Sequence, residues 1–406
     1  MRKFLPIISY TLILVPIFYL NLFLLKKILR FFDKRFIRLK KYFILFFITI
    51  ILDILGITIG VSFKIEWLLK PTAVLNMILI LSNLSFLGSF IVIFFYLKVF
   101  FNNFKAKKSL VNDKNRKNTI TRRDFIKKSI LIVPVIPLTI SSVGLYEGFS
   151  STRLKKMTFH LKNLPQNFNN LKIAQISDLH LSFFVRLDDL KTIVDDLNKI
   201  NVDLLLITGD FVDDYVLLDE AIELVKRVKT KYGIFASAGN HEYYRGIKPV
   251  IKAFKNHKLP LLINQGLSIE NSGEKIFIAG IDDPYRIDES QKIKGDIKPF
   301  LENSLKTALK SYKDEGFKII LSHRPQILSI SDKYNIDLIL SGHTHGGQVG
   351  FNGKSLFESF YPKHFLWGKY QINETVLYTT SGAGHWFPFR VNCPTEIPII
   401  TLKRDE

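Results

Sequence analysis

Five short polar segments constrain this chain more than any other feature, because each one directly follows an apolar run typical of a buried strand. The segments read SDLH (177–180), GDFVD (209–213), GNHE (239–242), SHRP (322–325) and SGHTHGG (341–347). The ends of neighbouring strands in an α/β sheet meet at one edge. The sequence therefore predicts an α/β fold with these polar side chains gathered at that edge.

The side chains in these segments are suited to metal binding. Asp, His and Asn supply oxygen and nitrogen ligands, which fit divalent cations such as Mn, Fe or Zn. Without a cation, carboxylates brought this close together would repel one another. A single His after a strand is more often a structural residue, but five such segments favour a metal site.

The order of the segments resembles that of the calcineurin-like metallophosphoesterases, whose pattern is D-x-H, G-D-x-x-D, G-N-H-[DE], H and G-H-x-H. Every element is present, and the resemblance covers about the last two-thirds of the chain. The form SGHTHGGQ with a later NCP segment is similar to a bacterial membrane-linked phosphodiesterase branch, some members of which cleave the lipid A precursor UDP-2,3-diacylglucosamine. The resemblance implies a β-sandwich flanked by helices in four layers.

The resemblance also implies a set of metal ligands for two divalent ions. The first ion would be held by Asp178, His180, Asp210 and His345, and the second by Asp210, Asn240, His323 and His343. Asp210 would bridge the two ions, since a carboxylate can bind one cation through each oxygen. His241 is the expected general acid, because an imidazole can donate a proton near neutral pH.

Several neighbouring residues allow more than one interpretation. Asp213 fits a residue that orients a ligand or His241. Glu242 fits the same role, an N-cap or surface pairing. Arg324 and Arg390 can bind phosphate through planar guanidinium groups or form surface ion pairs. The segment GAGHWFPFRVNCP (382–394) predicts a pocket wall, a contact with lipid or ordinary core packing.

The first part of the chain predicts a membrane region. Residues 4–25, 42–63 and 73–101 are nearly uncharged and long enough to cross a hydrocarbon core of ~30 Å as helices. A fourth stretch, 130–146, contains two prolines and predicts either a weak span or a signal-like segment. We therefore expect three to four transmembrane helices in residues 1–147, followed by a metallophosphoesterase domain in residues 148–406.

Charge is distributed unevenly between these two parts. Residues 1–147 hold 23 of the 57 Lys and Arg but only 6 of the 36 Asp and Glu. The remainder is nearly neutral, so nucleic acid is not an expected partner. The basic loops 26–41 and 105–128 should face the cytoplasm, which predicts a multi-pass protein of the bacterial inner or plasma membrane with its catalytic domain outside. The segment TRRDFIKK (121–128) resembles a twin-arginine export signal or a basic stop cluster.

Two functions are compatible with these features. The first is a membrane-anchored, dinuclear metal-dependent phosphoesterase that hydrolyses a phosphodiester or pyrophosphate bond in a phosphorylated small molecule or a lipid-linked, UDP-diacylglucosamine-type substrate. UDP-linked precursors are cytoplasmic, which conflicts with an external domain. The alternative is a membrane transport or scaffolding protein with a non-catalytic domain, which would predict missing ligands or charges within the spans. Every ligand position is filled, and Asp53 is the one acidic residue within the three long apolar stretches.

Overall fold

The computed structural model describes residues 135–244, 246–286, 296–312 and 316–405. Its helices are α1 (Val135–Gly148), α2 (Leu187–Ile200), α3 (Leu218–Val225), α4 (His241–Tyr244), α5 (Ile247–Asn256), α6 (Lys298–Leu309) and α7 (Leu328–Ser331). Its strands are β1 (Arg153–Leu161), β2 (Lys172–Ile176), β3 (Leu204–Thr208), β4 (Ile234–Ser237), β5 (Leu261–Leu262), β6 (Gln265–Asn271), β7 (Glu274–Gly280), β8 (Phe317–Leu321), β9 (Leu338–Ser341), β10 (Gly350–Phe351), β11 (Lys354–Ser355), β12 (Gly368–Ile372), β13 (Thr375–Thr379) and β14 (Glu396–Arg404).

The larger strands form two sheets. The first has the order β1-β14-β2-β3-β4-β5, and the second has the order β12-β13-β9-β8-β7-β6. Strands β2 to β5 are parallel, as are β7, β8, β9 and β13, while β6 and β12 run antiparallel at the two edges of the second sheet. The parallel strands of each sheet therefore direct their carboxyl ends to a common edge.

The core is divided into layers by these sheets. Ile173 and Leu206 of the first sheet share one buried cluster with Ile278 and Leu340 of the second, so the sheets pack face to face. Helices α2, α3 and α5 cover the outer face of the first sheet, and α6 and α7 cover that of the second. The described residues therefore form the predicted α/β sandwich of four layers.

Helix α2 shows how the sequence specifies this packing. Its buried residues lie three or four positions apart and share one face, as expected for an amphipathic helix: Leu190, Ile193, Val194 and Leu197. Burial of each such side chain stabilises the fold by about 1.5–3 kcal/mol. The opposite face carries acidic and basic residues and remains exposed.

The last strand, β14, does not lie in the sheet that the sequence predicts for it. The segments that become β7, β13 and β14 together predict a second, partly antiparallel sheet, and the first two do belong to it. Strand β14 instead lies in the first sheet, parallel to β1 and antiparallel to β2. Its apolar residues are buried on both faces, and such a strand is equally compatible with the interior of either sheet.

The predicted membrane region is only partly described. The stretches 4–25, 42–63 and 73–101 and the segment TRRDFIKK (121–128) lie outside the described residues. From the fourth stretch, the structure describes α1, which is 14 residues long. Among the helices that the structure describes, none combines the length and apolar character needed to cross a bilayer. Residues Gly144–Glu406 form a compact unit of their own.

Candidate metal centre

All the predicted site residues lie in loops that follow the carboxyl ends of strands. Strand β2 leads to Asp178 and His180, β3 to Asp210, and β4 to Asn240 and His241. In the second sheet, β8 leads to His323, and β9 leads to His343 and His345. Because both sheets direct these ends to one side of the sandwich, the loops converge there.

The ligand atoms of the converging side chains lie within 4.8 Å of one another in three groups. Two of them consist of predicted ligands: Asp178, His180 and His345 in one, and Asp210, His323 and His343 in the other. The third joins His180 to Asp213 and His241. Oδ2 of Asp210 lies 3.2 Å from Nε2 of His323 and 3.6 Å from Nε2 of His180. Asp210 therefore stands between the two groups, in the position expected of a shared ligand.

Two of the histidines are held with Nε2 facing the site. Nδ1 of His323 donates to the carbonyl oxygen of Thr208 at 2.8 Å, and Nδ1 of His180 lies 3.2 Å from the Asp213 carboxylate. Nε2 of His323 is buried, and Oδ2 of Asp210 lies 3.2 Å from it. A buried ring nitrogen that faces a carboxylate suits a bound cation.

The surroundings lower the pKa of two of the predicted histidine ligands and raise the pKa of a third. Burial lowers the pKa of His343 and of His345, with further lowering by Arg324 and His180 respectively, which keeps both rings neutral and available as ligands. Burial opposes a charge on His323, but Asp210 outweighs it and raises the pKa to about 10. Binding of a cation beside Asp210 would therefore release a proton from His323.

The backbone at the site is strained. Five of the predicted ligands adopt a positive φ between 50° and 71°, in the left-handed region that side chains other than glycine rarely occupy: Asp178, His180, Asp210, His343 and His345. Each such residue costs about 1–3 kcal/mol, and such conformations persist only where the surrounding structure enforces them. The loops therefore hold these five residues in a backbone conformation of higher energy.

Asn240 directly precedes the short helix α4, and His241 is the first residue of this helix, at the edge of the candidate metal centre. The backbone N–H of His241 donates to Oδ1 of Asp210 at 2.9 Å, and its Nδ1 bonds to Oδ1 of Asp213 at 2.7 Å. Its Nε2 lies 4.0 Å from Oδ2 of Asp210, and the side chain is 22% exposed. Asp213 thus contacts both His241 and His180, as the sequence suggested for an orienting residue.

Glu242 has a role that the sequence did not reveal. Its buried carboxylate accepts three backbone N–H groups, from Asp210 at 3.0 Å, Phe211 at 2.8 Å and Gly239 at 2.7 Å. Burial and the charge of Asp210 raise the pKa of Glu242, against the opposing effect of these three donors. This one side chain therefore ties the loop after β3 to the loop after β4.

The two arginines differ sharply. Nε and Nη2 of Arg324 donate to the buried Asp283 carboxylate at 2.7 and 3.2 Å, and the guanidinium also contacts Nε2 of His343. Arg390 is completely buried and donates to the carbonyl oxygens of Ser381 and Gly384, both at 2.8 Å. Only Arg324, which is 19% exposed, can reach a substrate.

Asp283 itself was not predicted, although a signal for it exists. The segment GIDDP (280–284) places acidic residues directly after β7, at the same end of the second sheet as the ligand loops. Four of the five segments contain His or Asn, whereas this one offers only carboxylates. It also has no counterpart in the motif pattern that drew attention to the five segments.

A substitution of Gly342 should disrupt the first ligand group. A Cβ at this position would overlap the Asp178 carboxylate and the Ser177 hydroxyl. We expect Gly342→Ala to displace Asp178 and lower the metal content of the purified protein, measured by inductively coupled plasma mass spectrometry. Gly273→Ala is the control, because Gly273 lies in a hairpin turn with φ of 85° and nothing within 4 Å of its Cβ position. Equal metal content in both variants would contradict the expectation.

Comparison with known proteins identifies the family. The profile of the calcineurin-like phosphoesterase family matches residues 171–347. An uncharacterised metallophosphoesterase of Helicobacter pylori is 33% identical over 64% of this chain and 66% of its own length. One from Campylobacter jejuni is 30% identical over 76% of this chain and 78% of its own. A transmembrane protein with a metallophosphoesterase domain from Danio rerio is 28% identical, covering 80% and 74% respectively.

The chain belongs to the calcineurin-like phosphoesterase family. Members of this family are metal-dependent phosphoester hydrolases that use two divalent metal ions, and the described residues supply groups able to hold them. The predicted family, the predicted class of metal-dependent phosphoester hydrolase and the predicted use of two divalent metal ions are therefore confirmed. The chain spans about two-thirds of the length of the Helicobacter relative, 66%.

Proposed function

We propose that this protein is a membrane-anchored dinuclear phosphoesterase that hydrolyses a phosphodiester or pyrophosphate bond. The observation that carries the proposal is the position of the buried Asp210 carboxylate between two groups of histidine and carboxylate ligands. Asp178, His180 and His345 would hold one ion and His323, His343 and Asn240 the other, with Asp210 shared. The ions would be Mn, Fe or Zn.

Each part of the reaction then has an assigned group. When bound, two divalent cations supply Lewis acidity to an attacking water and to the phosphate oxygens. Arg324 would bind a non-bridging phosphate oxygen, since Asp283 fixes its guanidinium beside His343. His241 would donate a proton from Nε2 to the leaving oxygen, while Asp213 holds its Nδ1.

The role of His241 can be tested through the leaving group. We expect His241→Gln to slow hydrolysis of a diester with an alkyl leaving group roughly 100-fold or more, because an alkoxide needs a proton to depart. Hydrolysis of bis-p-nitrophenyl phosphate should fall far less, since p-nitrophenolate leaves without one. His257→Gln is the matched control, because His257 bonds to Asp219 and Glu223 on the surface. Equal losses for both substrates would exclude the general-acid role.

The membrane part of the proposal rests on the sequence. The three apolar stretches within residues 1–101 would anchor the chain, and residues 148–406 would form the catalytic domain on the periplasmic or extracellular side. The Danio rerio relative is a transmembrane protein with a metallophosphoesterase domain, which supports the membrane anchor. A lipid-linked phosphate is the substrate class that we propose, because an anchored active site would meet it at the membrane surface.

The first experiment is manganese-dependent hydrolysis of bis-p-nitrophenyl phosphate by the purified full-length chain in detergent. Activity that appears with manganese and disappears with a chelator would support the proposed function. A protein that binds manganese but hydrolyses neither this diester nor a pyrophosphate would favour the alternative of a transport or scaffolding protein. Nothing in the described ligand loops favours that alternative.

A further inference from the structure

Next to the metal centre lies a group of exposed apolar side chains, here named the aromatic rim. It comprises six residues: Phe351, Leu356, Phe357, Phe360, Tyr361 and Trp386. Phe351 is 71% exposed, Phe360 is 76% exposed and Trp386 is 50% exposed. Large side chains exposed in such a cluster commonly mark an interaction surface.

The aromatic rim is attached directly to a ligand loop. The hairpin β10–β11 follows the turn that carries His345, and a Cβ on Gly347 of this turn would overlap the ring of Phe357. Nε2 of Gln348 donates to the carbonyl oxygen of Phe387 at 3.0 Å, which joins the hairpin to the loop that carries Trp386. The rim and the metal centre therefore belong to one connected part of the surface.

The loop that carries Trp386 also contacts the end of α1, where the chain enters the compact unit. The N–H of Arg390 donates to the carbonyl oxygen of Gly144 at 2.8 Å, and the N–H of Asn392 donates to the Glu147 carboxylate at 2.6 Å. The residues before Gly144 are those with the three long apolar stretches. The rim thus lies close to the point from which the chain continues toward its predicted membrane segments.

The chemistry of the rim fits the interfacial region of a bilayer. Phe, Tyr and Trp are favoured there, and the exposed Lys354 and Lys363 can interact with anionic lipid headgroups. The acidic residue of the segment, Glu358, is turned inward, where its Oε2 accepts the Tyr370 hydroxyl at 2.8 Å. A surface that carries aromatic and basic side chains and no free carboxylate is complementary to an anionic lipid surface. It is less complementary to a second copy of itself, because the lysines of the two copies would repel one another.

We propose that the aromatic rim docks into the headgroup region of the membrane and holds the opening of the metal centre at the lipid surface. This inference rests on the proposed function and deepens it, because it assigns the substrate to the phosphates of lipid headgroups or lipid-linked molecules at that depth. In this position the rim would hold the catalytic unit in one orientation at the lipid surface.

The test measures whether the rim contacts lipid. Phe360→Cys is labelled with an environment-sensitive dye in the full-length chain, reconstituted into phosphatidylethanolamine and phosphatidylglycerol vesicles with and without spin-labelled phosphatidylcholine. Ile251→Cys is the matched control, because Ile251 is 42% exposed on α5, away from the rim. The natural Cys393 is buried, and burial raises its pKa to about 11, so it should not react.

We expect the spin label to quench the dye at position 360 roughly tenfold more than the dye at position 251, because quenching acts only at short range and an interfacial group lies ~5–10 Å into the boundary. Equal quenching at both positions would overturn the inference. So would emission that is shifted to the blue without quenching by lipid, which would assign the rim to a protein surface. Hydrolysis of bis-p-nitrophenyl phosphate is measured on the same samples, so a failed inference can be told apart from an inactive enzyme.

Discussion

Asp210→Asn should abolish most of the hydrolytic activity, with kcat lowered about 1000-fold or more. The substitution keeps the shape of the side chain but removes the negative charge shared by the two ligand groups. A loss of about 4 kcal/mol of stabilisation in the transition state corresponds to this factor. Hydrolysis of bis-p-nitrophenyl phosphate and metal content should be measured together, and we expect the variant to retain less than the full complement of metal.

The control for this prediction is Asp195→Asn. Asp195 lies on the exposed face of α2, far from the ligand loops, so its loss should leave both activity and metal content unchanged. If Asp210→Asn kept both wild-type activity and the full metal content, the carboxylate would be needed neither for catalysis nor for holding metal. The assignment of Asp210 as a bridging ligand would then be wrong.

Glu242→Gln should destabilise the catalytic unit and lower its activity although Glu242 does not face the metal centre. The carboxylate accepts three buried backbone N–H groups through its two oxygens. A glutamine amide has one acceptor oxygen, so its NH₂ group would face at least one of these N–H groups and leave it without an acceptor. Each unsatisfied buried N–H costs about 1–3 kcal/mol. For a unit of this size, a loss of about 3 kcal/mol corresponds to a Tm lower by roughly 6–12 °C.

Thermal unfolding monitored by intrinsic fluorescence, with metal present, measures this effect. The control is Glu220→Gln, an exposed residue in the first turn of α3, which should change the Tm little. A Tm for Glu242→Gln equal to that of the control would show that the three backbone bonds can be replaced by water or by a local shift. The loop after β3 would then be positioned by other contacts.

The sequence predicted the strand ends and the polar segments because both leave local patterns. A buried strand is an uninterrupted apolar run, and Asp178, Asp210 or His323 stands directly after such a run. The convergence of these loops then follows from the parallel arrangement of the strands. The family resemblance supplied the division into two ligand groups, and individual roles within them stay predictions.

Features that depend on distant parts of the chain were not predictable in this way. Glu242 follows Asn240 and His241 at the start of a helix, where a Glu ordinarily caps or lies on the surface. Its partners come from two loops, and no local pattern indicates them. Likewise, the sequence allowed core packing for Trp386, Phe387 and Phe389 in the segment 382–394, but of these three only Phe389 is buried while Trp386 is exposed.

The left-handed backbone conformation of five predicted ligands could not be predicted from the sequence either, for a different reason. Asn, Asp and His are several-fold enriched among non-glycine residues with positive φ, but most Asp and His residues have negative φ. Residue type alone therefore could not show that Asp178, His180 and His345 would adopt this conformation.

The place of β14 in the first sheet has a consequence for how the protein is made. This strand lies between β1 and β2, and it is the last of the described strands to leave the ribosome. Until it arrives, β1 has no partner in the sheet, and the β1–β14 pairing joins residues more than two hundred positions apart. Pairings this distant form slowly, because the loop must close before the contact stabilises it. The first sheet can therefore be completed only after β14 has left the ribosome, and until then the edge of β2 that pairs with β14 stays open.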